Sequence, residues 1–340
     1  MPDVQTSRPL RLSVLDQSPI PEGSTGADAL RNSVDLARFV EGLGYHRYWV
    51  AEHHATPVLA SASPEVLIAA ISSVTTRLRV GSGGVMLPHY SPLKVAETFS
   101  VLTGLFGDRI DLALGRAAGA DPLATKALQR DRRQAPPDDF PQQLAELLAY
   151  VEDRMPAEHP FARLASLPGR PGHPDPWLLG SSEQSAVWAA EAGLPYAFAD
   201  FINPKGAPFV RRYLRDCASP RLVVGVQAVC AETDEEAWRI ASSNLIFSRV
   251  PRGTMFPVPP PDAALAWFAA QGLDHRALPP NERAIIGAPA TVAAGLRAVQ
   301  EEYETDELMI VTIVHDHEAR KRSYALIAEA AGHGPVRSSA

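Results

Sequence analysis

A pair of serines follows a short apolar strand at the point where a helix is predicted to begin. The order Gly180-Ser181-Ser182 precedes the helical pattern of residues 183–192. The first N–H groups of a helix lack backbone partners and carry the positive end of the helix dipole, so such a terminus attracts phosphate. The serine hydroxyls add donors, and Arg116 adds a charge-assisted contact. We therefore predict a phosphate site here, with an ordinary serine N-cap as the alternative.

Three glycines fall within the third predicted strand, in the order Gly81-Ser82-Gly83-Gly84. Glycine weakens a strand and packs no side chain, so this run indicates the close approach of a flat ligand or an unusual backbone. It is not a dinucleotide-binding fingerprint, because the third glycine of that motif would fall at Met86. A β-bulge at the end of the sheet is the alternative explanation.

Two groups of histidine and carboxylate side chains also follow predicted strands. They are Glu52-His53-His54 and His315-Asp316-His317. Imidazole and carboxylate groups at strand ends build metal sites in many proteins, so a metal-dependent hydrolase stays open as a hypothesis. Neither group has a recognised ligand spacing, and we predict no metal. Adjacent residues of an extended segment point to opposite sides, so at most one of His53 and His54 faces a common pocket.

Short apolar strands alternate with helical patterns along the chain and position these groups. The strands are predicted at residues 10–15, 45–51, 78–87, 109–114, 176–179, 196–199, 222–230 and 307–314. The first helix begins at Thr25, with Asp28 as its capping-box partner, and ends at Gly44. Eight strand–helix units predict an α/β fold with a parallel sheet closed as a (β/α)8 barrel. Because the carboxyl ends of all barrel strands meet at one rim, the polar groups are expected to converge there.

Two stretches are too long for ordinary barrel loops. Residues 119–140 follow the fourth strand, and residues 249–283 follow the seventh strand and its helix. We predict one domain over residues 1–340, with residues 249–283 as a lid. The aromatic side chains of this lid either line the site or form a core of their own, and they are Phe256, Trp267 and Phe268.

Composition excludes several classes of protein. The 340 residues are 46% hydrophobic and 21% charged, which is typical of a folded chain. A net charge of -7 argues against nucleic-acid binding, because phosphate contacts need a basic surface. No apolar run reaches the roughly 18 residues of a membrane span, and residues 1–10 do not resemble a targeting segment. The two cysteines, Cys217 and Cys230, exclude a disulfide framework, and we expect free thiols in a cytoplasmic protein.

Several stretches of the chain together resemble the luciferase-like flavin-dependent monooxygenases, the superfamily of the bacterial luciferase subunits. They are LDQSPIPEG (15–23), LGYHRYWVAEHH (43–54), LRVGSGGVMLPHYSPLKVAE (78–97), GDRIDLALGRAAGAD (107–121), WLLGSSEQSAVWAAEAGLP (177–195) and DELMIVTIVHDHEARKRS (306–323). The resemblance covers nearly the whole chain. It is closest to the single-chain subfamily with EHH, SGGVMLP and GSS signatures, some members of which tailor bacterial secondary metabolites.

The resemblance implies a TIM-barrel enzyme, usually a homodimer, that uses reduced FMN and O2 to oxygenate a small organic substrate. A separate reductase supplies the reduced flavin, whose C4a-peroxide oxidises an aldehyde, ketone or activated carbon. Such an enzyme needs a pocket that excludes water, since water discharges the oxidant as H2O2. The range of the subfamily favours an aromatic or polyketide-type substrate. No membrane or nucleic-acid partner is implied.

The resemblance also assigns catalytic roles. His53 matches the candidate base beside the flavin, and an unperturbed imidazole pKa near about 6.5 suits proton transfer at neutral pH. Glu52 and His54 are expected to orient it. Gly83 and Gly84 match a non-proline cis peptide behind the flavin ring.

The cofactor-binding residues follow in the same way. Arg116 matches the family's phosphate arginine, and Ser181, Ser182 and Ser185 match its phosphate segment, in agreement with the phosphate site predicted from the residues alone. The reactive cysteine of bacterial luciferase is replaced by Gly115, so we predict no useful light output with reduced FMN and a long-chain aldehyde.

Three other functions stay open from the sequence. The first is an F420-dependent oxidoreductase on the same barrel, which transfers hydride without O2. The second is the metal-dependent hydrolase that uses the two histidine groups. The third is a flavin-binding protein without catalytic activity.

Overall fold

The computed structural model describes residues 9–116, 122–129, 131–134, 138–164, 172–251 and 254–333. Eight parallel strands within these ranges close into a barrel. They are β1 (Arg11–Asp16), β2 (Arg47–Val50), β3 (Arg79–Met86), β4 (Ile110–Gly115), β5 (Asp175–Gly180), β6 (Tyr196–Ala199), β7 (Leu222–Cys230) and β9 (Glu307–Val311). Each strand pairs with the next, and β1 pairs with both β2 and β9. The predicted (β/α)8 barrel is confirmed.

The remaining strand, β8 (Ile285–Gly287), was not predicted. It pairs with the carboxyl end of β7, outside the barrel. The three-residue length of β8 explains why no apolar pattern revealed it.

Helices surround the barrel. They are α1 (Gly26–Gly42), α2 (Pro64–Ser72), α3 (Pro92–Phe106), α4 (Pro122–Leu128), α5 (Phe140–Glu152), α6 (Glu183–Glu191), α7 (Ala207–Asp216), α8 (Asp234–Leu245), α9 (Pro261–Ala270), α10 (Pro289–Tyr303) and α11 (His317–Ala330). Thr25 caps α1 and forms the predicted capping box with Asp28. Among the described residues, no helix is both long and apolar enough to cross a membrane.

Alternation along the strands creates two cores. Val14 and Leu112 point outward into the layer between sheet and helices. Leu15 and Ala113, each one residue further along its strand, point into the barrel, as does Trp49 of β2. This period of two follows from the pleat of a strand, and it decides which strand residues can reach a site inside the barrel.

A buried network of charges fills the amino-terminal end of the barrel. Asp111 accepts hydrogen bonds from Arg47 at 2.8 Å, from Arg79 at 2.5 and 3.0 Å, and from the Trp49 indole N–H at 2.8 Å. Arg47 also donates to Glu307 at 2.8 Å. Both carboxylates are almost completely buried. We call these five residues the barrel floor. Pairing neutralises these buried charges, and the Asp111 carboxylate holds the indole of Trp49 in place.

The two long insertions contain helices that were not predicted. Helix α4 lies in the first, although residues 117–121 lie outside the described residues, as do 130 and 135–137. Helix α9 lies in the second. There the backbone of Val258 exchanges hydrogen bonds of 2.8 Å with Ile20 and Glu22, which fixes the insertion on the loop after β1. The insertion's aromatic side chains pack with helix α8 in a core of their own, and they are Phe256, Trp267 and Phe268.

Candidate functional site

A cavity of 380 Å³ lies at the carboxyl ends of the barrel strands. This volume falls within the range of small-molecule sites. Most of the residues predicted for the site line its wall, and they are Glu52, His53, Gly83, Gly84, Arg116, Gly180, Ser181, Ser182 and Ser185. Side chains from distant parts of the sequence therefore converge as the barrel topology predicts. His54 is the predicted residue that the cavity wall does not include.

The glycines of β3 form a flat part of the wall. A Cβ atom on Gly84 would lie 2.6 Å from the Ala113 carbonyl oxygen, and one on Gly83 would lie 2.5 Å from Leu15 Cδ1. No side chain fits at either position, because neighbouring strands approach too closely. The peptide bond between Gly83 and Gly84 is cis, as the resemblance implied. The register with β4 shifts between Gly83 and Val85, so the alternative of a bulge holds at the same place.

The amino terminus of α6 forms a second part of the wall. Ser182 is the N-cap, and it exchanges hydrogen bonds with Ser185 as a capping box at 3.3 and 3.4 Å. The Ser185 hydroxyl also bonds the Ser182 carbonyl at 2.7 Å and the Tyr196 hydroxyl at 2.8 Å. Ser185 is buried and held by these contacts, so the geometry gives it a capping role. Its predicted contact with a phosphate stays a prediction.

The turn between β5 and α6, at Gly180 and Ser181, also lines the cavity. A Cβ atom on Gly180 would lie 2.0 Å from the Ser185 hydroxyl, so glycine is required where the strand meets the helix. The Asn203 amide donates to the Ser181 carbonyl at 2.8 Å and holds the connecting turn. This bond fixes the backbone of Ser181, which lines the cavity.

Arg116 supplies the positive charge beside this helix end. Its guanidinium carbon lies 5.4 Å from the ring centroid of Trp188, a favourable cation–π distance. The ring of Phe140 also packs against Trp188, with 5.3 Å between the two ring centroids. No carboxylate in the described part of the chain pairs with Arg116, so the charge is free to bind an anion. Sequence reasoning missed Trp188, although its position three residues after Ser185 places it on the same helix face.

His53 stands at the wall with one ring nitrogen unbonded. Its backbone N–H donates to the Ser61 carbonyl at 2.9 Å, while its buried Nδ1 has no partner among the described residues. Burial, together with the neighbouring charge of His54, lowers the pKa of His53 to about 4. The imidazole is therefore neutral at pH 7. This corrects the expectation of a pKa near the unperturbed value.

Glu52 is completely buried and connects two loops. Its carboxylate accepts the Met86 N–H at 3.0 Å, the Tyr90 hydroxyl at 2.9 Å and the His54 ring at 2.6 Å. The same negative charge and burial raise the pKa of Tyr90 well above its ordinary value. With its oxygens engaged, Glu52 holds the segment that carries His53 against the end of β3. His54 points at Glu52, so the geometry makes both positioning residues.

The second histidine group lies elsewhere on the rim. His315 approaches the Glu22 carbonyl oxygen at 3.2 Å, and Asp316 caps α11. In the described ranges, the side chains able to share a metal ion are Asp35, His317 and Glu318. Lys321 pairs with both carboxylates of this set at 3.0 and 3.2 Å. The described residues thus do not join the two histidine groups into one ligand set.

Known proteins resemble the chain over most of its length. Residues 10–305 match the family described as luciferase-like monooxygenase. The Bacillus subtilis (strain 168) protein YwcH is 45% identical over 94% of this chain and 98% of its own. N-acetyl-S-alkylcysteine monooxygenase of the same organism is 36% identical over 94% and 98%. The structure of apo-MsnO8 has a TM-score of 0.85 and 39% identity, covering 96% of this chain and 99% of that one.

More distant structures share the fold but use different cofactors. The oxygenating constituent of 3,6-diketocamphane monooxygenase from Pseudomonas putida, in complex with FMN, has a TM-score of 0.68 and 18% identity over 95% of this chain and 98% of that one. The F420-dependent tetrahydromethanopterin reductase of Methanopyrus kandleri has a TM-score of 0.65 and 12% identity over 94% and 98%. Similarity at this level shows a shared barrel fold. The evidence for the cofactor is the set of residues that line the cavity.

Proposed function

This chain belongs to the luciferase-like monooxygenase family, and on that premise we propose that it oxygenates a small organic substrate with reduced FMN and O2. One observation carries the proposal. The cavity combines a flat glycine wall, an unpaired arginine beside a helix amino terminus, and a neutral imidazole. These three features match a planar ring, its phosphate tail and a proton acceptor.

The described wall residues fit FMN. Gly83 and Gly84 line the cavity, so at this point the wall is backbone against which a flat ring could lie. Arg116, Ser181 and the N–H groups that follow Ser182 would hold the phosphate, because all of them donate and none has a carboxylate partner at this end of the cavity. Bound reduced FMN would supply two electrons, so that one atom of O2 enters the substrate and the other leaves as water.

The chain's own residues would control protons and water. A neutral His53 ring accepts a proton at a ring nitrogen. Glu52 accepts hydrogen bonds from the Met86 backbone N–H and the Tyr90 hydroxyl, and so holds the segment of His53 against the end of β3. The apolar side chains of the wall exclude water from the reaction. They include Leu15, Trp49, Met86, Val223 and Met309.

Further parts of the proposal concern partners and organisation. A separate reductase would deliver the reduced flavin, as the family resemblance implies, and the lack of a nicotinamide fingerprint in the sequence is consistent with this. A homodimer, one domain over residues 1–340 and a cytoplasmic location stay predictions. The role of residues 249–283 as a lid is supported by the backbone bonds that attach Val258 to the loop after β1.

Arg116→Ala tests the phosphate site. Loss of a charge-assisted contact of about 1.5–3 kcal/mol predicts a rise of about 10- to 150-fold in the Kd of FMN. Fluorescence titration with FMN, and anaerobic titration with reduced FMN, would measure it. Arg215→Ala is the matched control, because it removes an exposed arginine outside the cavity and should leave the Kd unchanged. Unchanged affinity in Arg116→Ala would contradict the assignment.

The affinity for F420 tests whether FMN or the competing cofactor F420 binds in the cavity. We expect the protein to bind reduced FMN more tightly than FMN, and to bind F420 weakly. Titration of the purified protein with all three would decide the matter. Tight binding of F420 together with rejection of FMN would replace the proposed monooxygenase with a hydride-transferring oxidoreductase.

A further inference from the structure

We propose that the substrate is a neutral, mainly apolar molecule with one hydrogen-bonding group, and that Gln17 binds this group. The inference rests on the proposed function in one respect, since FMN phosphate is taken to occupy Arg116. It goes further by assigning a substrate class and a specificity-determining residue. Four structural observations support it.

The cavity has a charged end and a neutral end. Arg116 follows β4, and Ser181 and Ser182 follow β5. Gln17 follows β1, which lies four strands away from β5 in either direction around the closed barrel. The phosphate end and the Gln17 end therefore face each other across the cavity, with the glycine wall of β3 between them.

No described residue places a cationic side chain in the wall of the neutral end. Its wall residues come from β1, β7 and β9 and from the end of β2, and they are Leu15, Gln17, Ala51, Glu52, His53, Val223, Gly225 and Met309. The charged member is Glu52, whose buried carboxylate would repel an anionic substrate. Arg116 is the cation among the described wall residues, and it lies at the opposite end. His53 is uncharged at neutral pH. A carboxylate placed here would lose its hydration without gaining a counter-charge, which is strongly unfavourable.

An apolar cap packs beside the inward-facing strand residues at this end. Val58, Leu59 and Val258 pack in one cluster with Leu15 and other inward-facing strand residues. Backbone hydrogen bonds join the three loops of this cap, from Ile20 to Val58 at 2.7 Å and from Val258 to Ile20 at 2.8 Å. These bonds hold the apolar cap in place beside the neutral end.

Hydrogen bonds to Ser61 fix the backbone of Gln17 relative to the backbone of His53. The buried Ser61 donates its hydroxyl to the Gln17 carbonyl at 3.3 Å, and its own carbonyl accepts the His53 N–H at 2.9 Å. One residue therefore sets the spacing between the two polar groups of the neutral end. The side-chain amide of Gln17 offers both a donor and an acceptor, so it can bind a carbonyl, a hydroxyl or a sulfoxide oxygen.

Matched pairs of ligands test the substrate class. Each pair shares its reactive group and differs in charge: N-acetyl-S-methylcysteine and its methyl ester, 4-(methylthio)butanoate and its methyl ester, and 3-benzoylpropanoate and its methyl ester. Perturbation of the flavin absorbance of FMN-saturated protein gives each Kd. We expect at least one ester to bind, and each bound ester to bind about tenfold or more tightly than its acid. Equal or tighter binding of the acids would overturn the inference, as would binding of no ester.

The outcomes also separate the two proposals. A protein that binds no FMN overturns both, and this is seen before any ligand is added. FMN-saturated protein that prefers the acids overturns the substrate class and leaves the monooxygenase proposal standing.

Gln17→Leu tests the specificity residue. Loss of one neutral hydrogen bond predicts a rise of about three- to tenfold in the Kd of the ester that binds best, with the Kd of FMN changed less than about twofold. Gln271→Leu, at an exposed position after α9, is the matched control and should change neither. Gln17→Glu keeps the shape and adds a negative charge, so it should weaken the acids further. Unchanged ester binding in both Gln17 variants would exclude Gln17 from the substrate contact.

Discussion

Replacing His53 with alanine is expected to lower kcat/KM by about 10²- to 10⁴-fold, the usual contribution of a positioned acid–base group. The Kd of FMN should change little, because His53 follows β2, which lies two and three strands away from the strands β4 and β5 that carry the phosphate contacts. His53 is the one wall residue with a buried, unbonded ring nitrogen in the described ranges. Substrate-dependent O2 consumption, corrected for H2O2, would measure the loss.

A control and a rescue sharpen this prediction. His315→Ala removes a rim histidine that contacts only a backbone oxygen among the described residues, and should leave turnover within about twofold of the unsubstituted protein. Added imidazole should partly restore His53→Ala if the loss is chemical, since it can fill the space. Turnover of His53→Ala that equals the control would assign the proton to another group.

The pH dependence follows from the lowered pKa. His53 has a pKa of about 4 in the folded protein and an ordinary value near 6.5 when unfolded. The acid limb of kcat/KM should therefore lie closer to pH 4 than to pH 6.5. Between those values the unfolded chain binds the extra proton, so His53 lowers stability as the pH falls through this window. His53→Ala should lose less stability than the unsubstituted protein between pH 6.5 and 4 in chemical denaturation.

The barrel was predictable because its signals are local. Alternating apolar strands and helices carry their own periodicity, and the Thr25–Asp28 box marks a helix start within four residues. Strand β8 and helices α4 and α9 escaped prediction for the converse reason. The strand is three residues long, and α4 and α9 lie in insertions whose packing partners come from other parts of the chain.

The site was predictable wherever glycine, serine or histidine stood directly after a strand. Its other contacts join residues far apart in sequence. The stack of Trp188 on Arg116 depends on the position of α6 beside β4, and the Ser61 bridge between Gln17 and His53 depends on how two loops meet. Strand alternation alone could not show whether Glu52 or His54 faces the cavity. The pKa of His53 also depended on burial, which only the folded chain defines.

Replacing Asp111 with alanine is expected to lower the free energy of unfolding by about 3–5 kcal/mol, because it leaves the buried Arg47 and the half-buried Arg79 short of a partner. Arg47 and Arg79 both donate to this carboxylate. Burial alone would lower the pKa of Arg47, but the negative charges of Asp111 and Glu307 raise it above its ordinary value. Arg47 therefore stays charged and must be neutralised by its surroundings. Denaturation by urea, followed by far-UV circular dichroism, would measure the change.

The matched control is Asp216→Ala, which removes an aspartate from an exposed pair with Arg215. It should change stability by no more than about 1 kcal/mol, since exposed ion pairs contribute little. Equal effects of the two substitutions would show that the barrel floor contributes no more than a surface pair. A large effect at Asp111 would also reach the cavity, because the same carboxylate holds the Trp49 indole that packs edge-on against Trp177 at 5.4 Å. The charged floor then both stabilises the barrel and fixes the base of the pocket in which the substrate is proposed to bind.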